Sequence, residues 1–533
     1  MIFNSASFLL FFAVVLLLYY LVPKKLQWGL LLAASYFFYL YASVKFAVFI
    51  LFTTTTAYFA ANAIGKIQQE MKKTLRERKE EFTRETKKKY KESCKKRQKR
   101  ILTGTLVSNF GILVFLKFYN FAAINLTAVF ALTGSEISIP TMRLILPLGI
   151  SFYTFQTMGY LIDVYWEKVQ PEKSYLKTAL FVSYFPQIIE GPISRFGELA
   201  PQLFEKKSFD YHRFSTGIQL MIWGFFKKMV IADRFSVIAN TVFDNFVDCT
   251  GFQVALGIFF YAIQDYTDFS GCIDIARGAS EAMGITLAEN FDHPYFSRTI
   301  PEYWRRWHAT LGSWFKDYVF YPISISQCSI KLGKFSKKHF GKQMGKNVPA
   351  FFGLAVTWLT TGLWHGSDWN YIGWGVYYGL LIILGILFEP LFQKLNRLLK
   401  LKTDHPAWIV VQVLRTFLLT CVGRLIFRAN HLSDAAVMMK KMKDLVHLKD
   451  YYYPDLWNLG LDHADYMVAF LVLAALFIIS FIQEKYHLVI REKLYQLPML
   501  LRWLVLFVGV QMILIFGMYG EGFSQAAFVY MQF

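Results

Sequence analysis

Acidic side chains are scarce in this 533-residue chain: 37 Asp and Glu stand against 57 Lys and Arg, a formal charge of +20. Such an excess would suit nucleic acid, but its placement argues against that partner. Residues 66–100 carry 16 Lys and Arg against 6 Glu, and Lys331, Lys334, Lys337, Lys338, Lys342 and Lys346 form a second cluster with no acidic residue among them. Both lie between apolar runs, where cytoplasmic loops fall under the positive-inside bias, so 66–100 and 329–347 are expected to be basic cytoplasmic loops. Attraction to anionic headgroups follows. Cysteine is sparse too. The five residues, at 94, 249, 272, 328 and 421, form no CxxC or Cys/His cluster, so neither a zinc site nor a disulfide framework is expected. The first apolar run lacks a basic leader, so it reads as a retained helix rather than a cleaved signal. Sustained apolar/polar alternation is missing, which argues against a barrel. No internal repeat is visible, which weakens a transporter built on inverted repeats.

Apolar residues are abundant instead: 55% of the chain is hydrophobic, 18% is aromatic, and mean hydropathy is +0.34. Runs long enough for a hydrocarbon core of ~30 Å fall at 5–22, 26–43, 45–64, 101–119, 141–164, 215–233, 252–272, 371–388, 407–426, 466–483 and 499–517. The expectation is one all-α polytopic membrane domain over residues 1–533 with about eleven spans. If Lys24, Lys25 and the 66–100 loop are cytoplasmic, the N-terminus lies outside. Residues 64–82 pattern as an amphipathic helix or a solvated hairpin, and 431–463 as an amphipathic connector.

Polar residues inside these runs are the candidates for function. The segment Phe351–Gly366 is apolar yet carries His365 between Trp364 and Gly366. Two readings are open: a packing histidine bonded to a carbonyl, or a group that moves protons. The 141–164 run contains Pro147, Gly149 and Gln156, the pattern of a kinked, interior-facing helix. Pro186, Glu190 and Pro192 interrupt 178–193, which reads as re-entrant with Glu190 in protein or a wet cavity. Asp265, Asp268 and Asp274 cannot face lipid; they could orient a histidine or arginine, or pair with cations that pin the fold. Thr299-Ile300-Pro301-Glu302 matches a capping box. It starts an expected helix within 293–322 whose aromatic face carries Tyr303, Trp304, Trp307, Leu311, Trp314, Phe315 and Tyr318, bordered by His308. Arg305 and Arg306 lie off that face, able to meet phosphates or carboxylates.

Taken in order, Pro147 to Gln156, Phe185-Pro186-Gln187 with Gly191-Pro192-Ile193, Asp268-Phe269-Ser270-Gly271, Glu289-Asn290-Phe291 with Pro294-Tyr295, Trp304-Arg305-Arg306-Trp307-His308, Trp364-His365-Gly366 and Phe427-Arg428-Ala429 resemble the membrane-bound O-acyltransferase (MBOAT) family, in its bacterial, alginate O-acetylating branch. The resemblance implies a ring of helices around a central tunnel. An acyl thioester, here acetyl-CoA, would enter from the cytoplasm and an acceptor from outside, with no bound cofactor. His365 matches the residue treated as catalytic and His308 the family's second histidine. Arg305, Arg306, Trp304, Trp364, Gln156, Asp268 and Glu190 become candidate substrate contacts. The resemblance further implies a bacterial plasma-membrane protein handing acetyl groups to an SGNH-type extracytoplasmic transferase or a polysaccharide. D-alanyl transfer to teichoic acid, as in another branch, and a proton-coupled transporter are the alternatives.

Overall fold

With no water in the hydrocarbon layer, backbone N–H and C=O groups must pair within their own segment. The computed structural model, which describes residues 1–444 and 457–519, is accordingly helical. Among the described residues, β pairing amounts to one isolated bridge, Phe291 with Trp307. By internal packing the chain forms two compact units, residues 1–214 with 279–288, and residues 215–278 with 289 onward.

The first unit holds α1 (Ala6–Leu21), α2 (Gln27–Ala42), α3 (Ala47–Glu77), α4 (Arg84–Leu132), α5 (Ile150–Tyr165), α6 (Tyr175–Ser183), α7 (Phe185–Ile188) and α8 (Phe196–Phe204). The second holds most of α9 (Tyr211–Phe225) and α11 (Gly251–Ala282), with α10 (Asp233–Asp244), α12 (Ile300–Arg306), α13 (Ala309–Phe315), α14 (Tyr321–Ser324) and α15 (Gln327–His365). It continues through α16 (Trp369–Leu398), α17 (Pro406–Arg428), α18 (Leu432–Lys441), α19 (His463–Tyr486), α20 (Ile490–Tyr495) and α21 (Met499–Phe516). Six of these, α3, α4, α16, α17, α19 and α21, are long and apolar enough to cross a bilayer, and α1 is a shorter apolar helix. This is a multi-pass membrane protein.

Several segments differ from the sequence reading. The basic stretch 66–100, expected as a loop, is mostly helix: α3 continues to Glu77, in line with the amphipathic-helix reading of 64–82, and α4 resumes at Arg84, with Ile67, Met71 and Cys94 packed between them. Lysine-rich residues 331–346 likewise belong to α15, which kinks at Gly341 (φ 87°) and then runs unbroken through Gly362 to His365. Lys, Glu and Arg are good helix formers, so a charge run alone does not mark a loop. Pro147 and Gly149 do not kink a helix; they precede one. Gly149 has φ 66°, and a Cβ there would meet the Ile188 carbonyl at 1.8 Å, so α5 begins only at Ile150. The 178–193 run is broken at Tyr184 between α6 and α7, as its prolines suggest. Of the 431–463 connector, residues 445–456 lie outside the described residues.

The second unit is organised around α11. A Cβ at Gly278 would meet the Gly217 carbonyl at 2.4 Å, and one at Gly224 the Gly271 carbonyl at 2.6 Å. Helices α9 and α11 therefore touch backbone to backbone, the small-residue packing that membranes favour. A π-helical stretch, Phe226–Ala232, follows α9 directly. Consecutive side chains on an α-helix diverge; the wider π turn lets Lys227 and Lys228 both reach α11. Lys227 lies 2.7 Å from Asp274, and Lys228 2.6 Å from Asp268 and 2.8 Å from Asp233. Asp265 pairs with Arg424 of α17, whose guanidinium also donates to Tyr303 Oη (2.7 Å) and covers the Trp307 ring at 3.9 Å. All three α11 aspartates are thus matched by cations.

Removing one partner of such a pair strands the other charge. Arg424→Gln should cost about 3–5 kcal/mol and lower the melting temperature of the detergent-solubilised protein, while adding Asp265→Asn should restore most of the loss. An Arg424→Gln protein that melts like wild type would contradict this account of the pair.

Candidate active site

The expected 293–322 helix begins at the predicted cap: Thr299 Oγ1 accepts from the Glu302 N–H at 3.3 Å, while the Glu302 carboxylate accepts from the Arg298 N–H at 2.9 Å rather than from that of Thr299. It then stops after seven residues. The reason is non-local. The 290–292 segment pairs antiparallel with 306–309, the Asp292 N–H donating to the Arg306 carbonyl and the Ala309 N–H to the Asn290 carbonyl, each at 3.0 Å. His308 sits at the turn with φ 46°, ψ 50°, and α13 restarts behind it. A left-handed, non-glycine residue must be held in place by its surroundings. Here Asn290 does so: its Oδ1 accepts from Thr310 N–H (3.1 Å) and Thr310 Oγ1 (2.8 Å), and faces His308 Nδ1 at 3.1 Å.

That arrangement determines the His308 tautomer. A backbone N–H can only donate, so the atom receiving it is the amide oxygen, and Nδ1 opposite must carry a proton. The ring lone pair is then on Nε2. His308 is 2% exposed, and burial pushes its pKa down to about 3, since a buried imidazole disfavours charge. Phe269 packs against the ring edge-on at 4.8 Å between centroids.

His365 ends α15, placed there by close helix packing. A Cβ at Gly362 would meet the Tyr371 carbonyl at 2.5 Å, and one at Gly375 the Trp358 carbonyl at 2.4 Å, so α15 and α16 are in backbone contact. The His365 ring is 5% exposed and walled by Trp364 (4.8 Å), Trp374 (4.8 Å) and Phe427 (5.2 Å between centroids). Asn370 secures the last of these: its Nδ2 donates to the carbonyls of Phe427 (3.2 Å) and Ala429 (2.9 Å), tying the start of α16 to the end of α17. The Trp364 indole also lies 6.0 Å from the His308 ring. One indole therefore packs beside both buried imidazoles.

The other candidates separate by location. Trp304 joins the same aromatic cluster, 5.3 Å from Trp374 and 4.9 Å from Trp358. Arg306 turns away from it, bonding Glu302 (2.9 Å) and both carboxylate oxygens of Glu484 (2.8 Å each). Arg305 is exposed. Asp268 is committed to Lys228. Gln156, which donates to the Phe181 carbonyl at 2.7 Å, and the buried Glu190 belong to the first unit. Asp292, His293 and Glu484 bring ligand-type atoms within 4.8 Å of one another, but the Arg306 guanidinium already holds Glu484, so a cation there would have to displace it. Sequence reasoning passed over Arg424, Asn370 and Trp374, and reached Asn290 only within a motif. The indole Nε1 of Trp374, 1% exposed, has no hydrogen-bond acceptor among the described residues.

The model of the "MBOAT, membrane-bound O-acyltransferase family" matches residues 171–428, a stretch containing both histidines, Asn290, Trp374 and Arg424. The chain is 36% identical over 345 residues to a probable alginate O-acetylase AlgI of Pseudomonas putida, covering 65% of this chain and 64% of that protein. It is 30% identical over 366 residues to the peptidoglycan O-acetyltransferase of Helicobacter pylori, covering 64% of each. It is 28% identical over 296 residues to the teichoic acid D-alanyltransferase of Bacillus subtilis, covering 54% of this chain and 70% of that protein. The chain thus spans a little under two thirds of the length of the alginate and peptidoglycan relatives. Residues 171–428 thus carry the domain of the membrane-bound O-acyltransferase family.

Proposed function

We propose that this chain is a membrane O-acyltransferase that moves an acetyl group from acetyl-CoA, supplied at the cytoplasmic face, to a hydroxyl acceptor used outside. The observation that carries the reading is the pair of buried histidines flanking the Trp364 indole within the family-matched stretch. The destination is an extracytoplasmic polysaccharide or wall polymer, reached through an SGNH-type partner. The names of the alginate and peptidoglycan relatives support that class of acceptor. The membrane is the bacterial plasma membrane, with the N-terminus outside.

In the proposed reaction His365 is the general base. It takes the acceptor hydroxyl proton as the oxygen attacks the thioester carbonyl carbon. The tetrahedral oxyanion then collapses, the C–S bond breaks, and the thiolate takes the proton back from the imidazolium. His308 does not supply the oxyanion donor: neutral, with Nδ1–H spent on Asn290, it presents a lone pair at Nε2. It instead accepts a hydrogen bond from a substrate N–H or O–H. The oxyanion donor is Trp374 Nε1–H. An indole is donor-only, and leaving it buried without an acceptor costs about 1–3 kcal/mol, a cost relieved when an oxyanion forms beside His365. The six exposed lysines on the first half of α15 draw the anionic donor to the membrane.

Label transfer from acetyl-CoA in membrane vesicles tests the reading. His365→Ala should insert and fold but lose transfer by about 10²–10⁴-fold; unchanged transfer would remove the proposed base. Trp374→Phe should lose on the order of 10²–10³-fold in turnover with little change in KM. Loading from a D-alanyl carrier protein in place of acetyl-CoA would move the chain to the other branch.

The His308 environment also predicts a pH effect. Its folded pKa of about 3 lies below the ordinary histidine value of 6.5, so the unfolded state binds a proton first as pH falls. Its contribution to stability is complete above pH 6.5 and is lost progressively toward pH 3. Melting temperatures over that range should therefore fall faster for wild type than for His308→Gln. Parallel curves would contradict the burial argument.

A further inference from the structure

The helices α19, α20 and α21 lie beyond the family-matched stretch, which ends at residue 428. Within the second unit they help enclose two neighbouring cavities. The first, of about 700 Å³, is walled by α9, α11, the 289–293 segment and α19 to α21. The second, of about 530 Å³, lies among α11, the 293–296 segment, α17 and α19. The two share Tyr266, His293, Leu476 and Ser480 as a common wall. Each is of the size that holds a small ligand, about 300–1,000 Å³.

Their chemistries differ. The first carries Lys227, Arg277, Arg306 and Arg491. It carries as many carboxylates, on Asp274, Glu289, Asp292 and Glu484, and the pairs Lys227–Asp274 (2.7 Å), Arg277–Glu289 (2.6 Å) and Arg306–Glu484 (2.8 Å) are formed. Its remaining wall mixes aliphatic side chains such as Ile479, Val505 and Met512 with aromatic ones (Trp223, Phe226) and polar ones (Gln219, Gln483). The second cavity is lined almost wholly by apolar and aromatic side chains. Leu414, Phe470 and Phe477 on its rim are 55%, 48% and 59% exposed on α17 and α19, two membrane-length helices. Surface of that kind on a spanning helix faces lipid chains.

We propose that these cavities together bind one phospholipid with a zwitterionic ethanolamine headgroup. The headgroup occupies the charged cavity and an acyl chain enters the apolar one past Leu414 and Phe477. Equal numbers of cations and carboxylates, three pairs of which already bond each other, give no net attraction for an anionic head, whereas a zwitterionic head can join that network with its phosphate beside the cations and its ammonium beside the carboxylates. The site is separate from the histidine centre, so the proposal stands independently of the transfer reaction.

The test is lipid retention by the purified full-length chain in mild detergent, read by native mass spectrometry and headgroup analysis. Wild type should keep about one phosphatidylethanolamine per chain. Ala474→Trp, which fills the apolar cavity, and Ala475→Trp, which fills the charged one, should cut retention at least tenfold. Leu10→Trp, at a site 70% exposed on α1, should not. In a second measurement that needs no variant, phosphatidylethanolamine added to delipidated wild type should raise its melting temperature, and phosphatidylglycerol of the same chains should not. Equal retention in all variants, retention of an anionic or prenyl lipid instead, or equal stabilisation by both headgroups would overturn the proposal.

Discussion

Charge neutralisation along α11 is the constraint on which the second unit depends. A carboxylate within an apolar helical domain is tolerated only when matched, and α11 carries three aspartates, Asp265, Asp268 and Asp274. Lys227 and Lys228 answer two of them from one π-helical turn, and Arg424 answers the third from α17. The consequence reaches the site through contacts that need no further assumption. Arg424 bonds Tyr303 and covers Trp307, so it holds the extended stretch that ends in His308. Further along the same helix, Phe427 packs against His365. One ion pair thus braces the surroundings of both imidazoles.

The two histidines share an indole but not an environment. His308 is fixed by backbone pairing and by the Asn290 amide, so the proton on Nδ1 follows from geometry, and burial favours the neutral ring. His365 is fixed by packing, at the end of a helix pressed against its neighbour through glycines and enclosed by rings. Aromatic walls exclude water and lower the local dielectric, which strengthens whatever polar contact a substrate makes there. Under the proposed reaction such a site is organised before substrate arrives, as electrostatic stabilisation of a transition state requires.

Much of this was legible in the sequence. A lone histidine in an apolar segment marked His365, the ordered motifs marked the family, and the capping box at Thr299 located the start of α12 to the residue. What escaped is non-local. Helical spacing from Tyr303 to Tyr318 describes one continuous aromatic face, yet the helix is interrupted at His308 by pairing with residues 290–292, which no periodicity within the helix reveals. Arg424 reads as one more arginine near a span end until Asp265 is found beside it. Lysine-rich helices read as loops because charge placement reports the side of the membrane, while helix propensity decides the backbone. Gln156 and Glu190 carry their motifs into the other unit, where the visible roles are a bond to the Phe181 carbonyl and burial.

The central claim is that His308 and His365, though they approach one indole from different elements, work as a single reaction centre. Residues that act as a unit lose activity non-additively. The most direct measurement is the acetyl-transfer rate of His308→Gln, His365→Ala and the double variant, each checked for folding by its melting temperature. The account predicts that the double variant is no slower than the slower single variant. Losses that multiply would mean that the two histidines act independently and would contradict it.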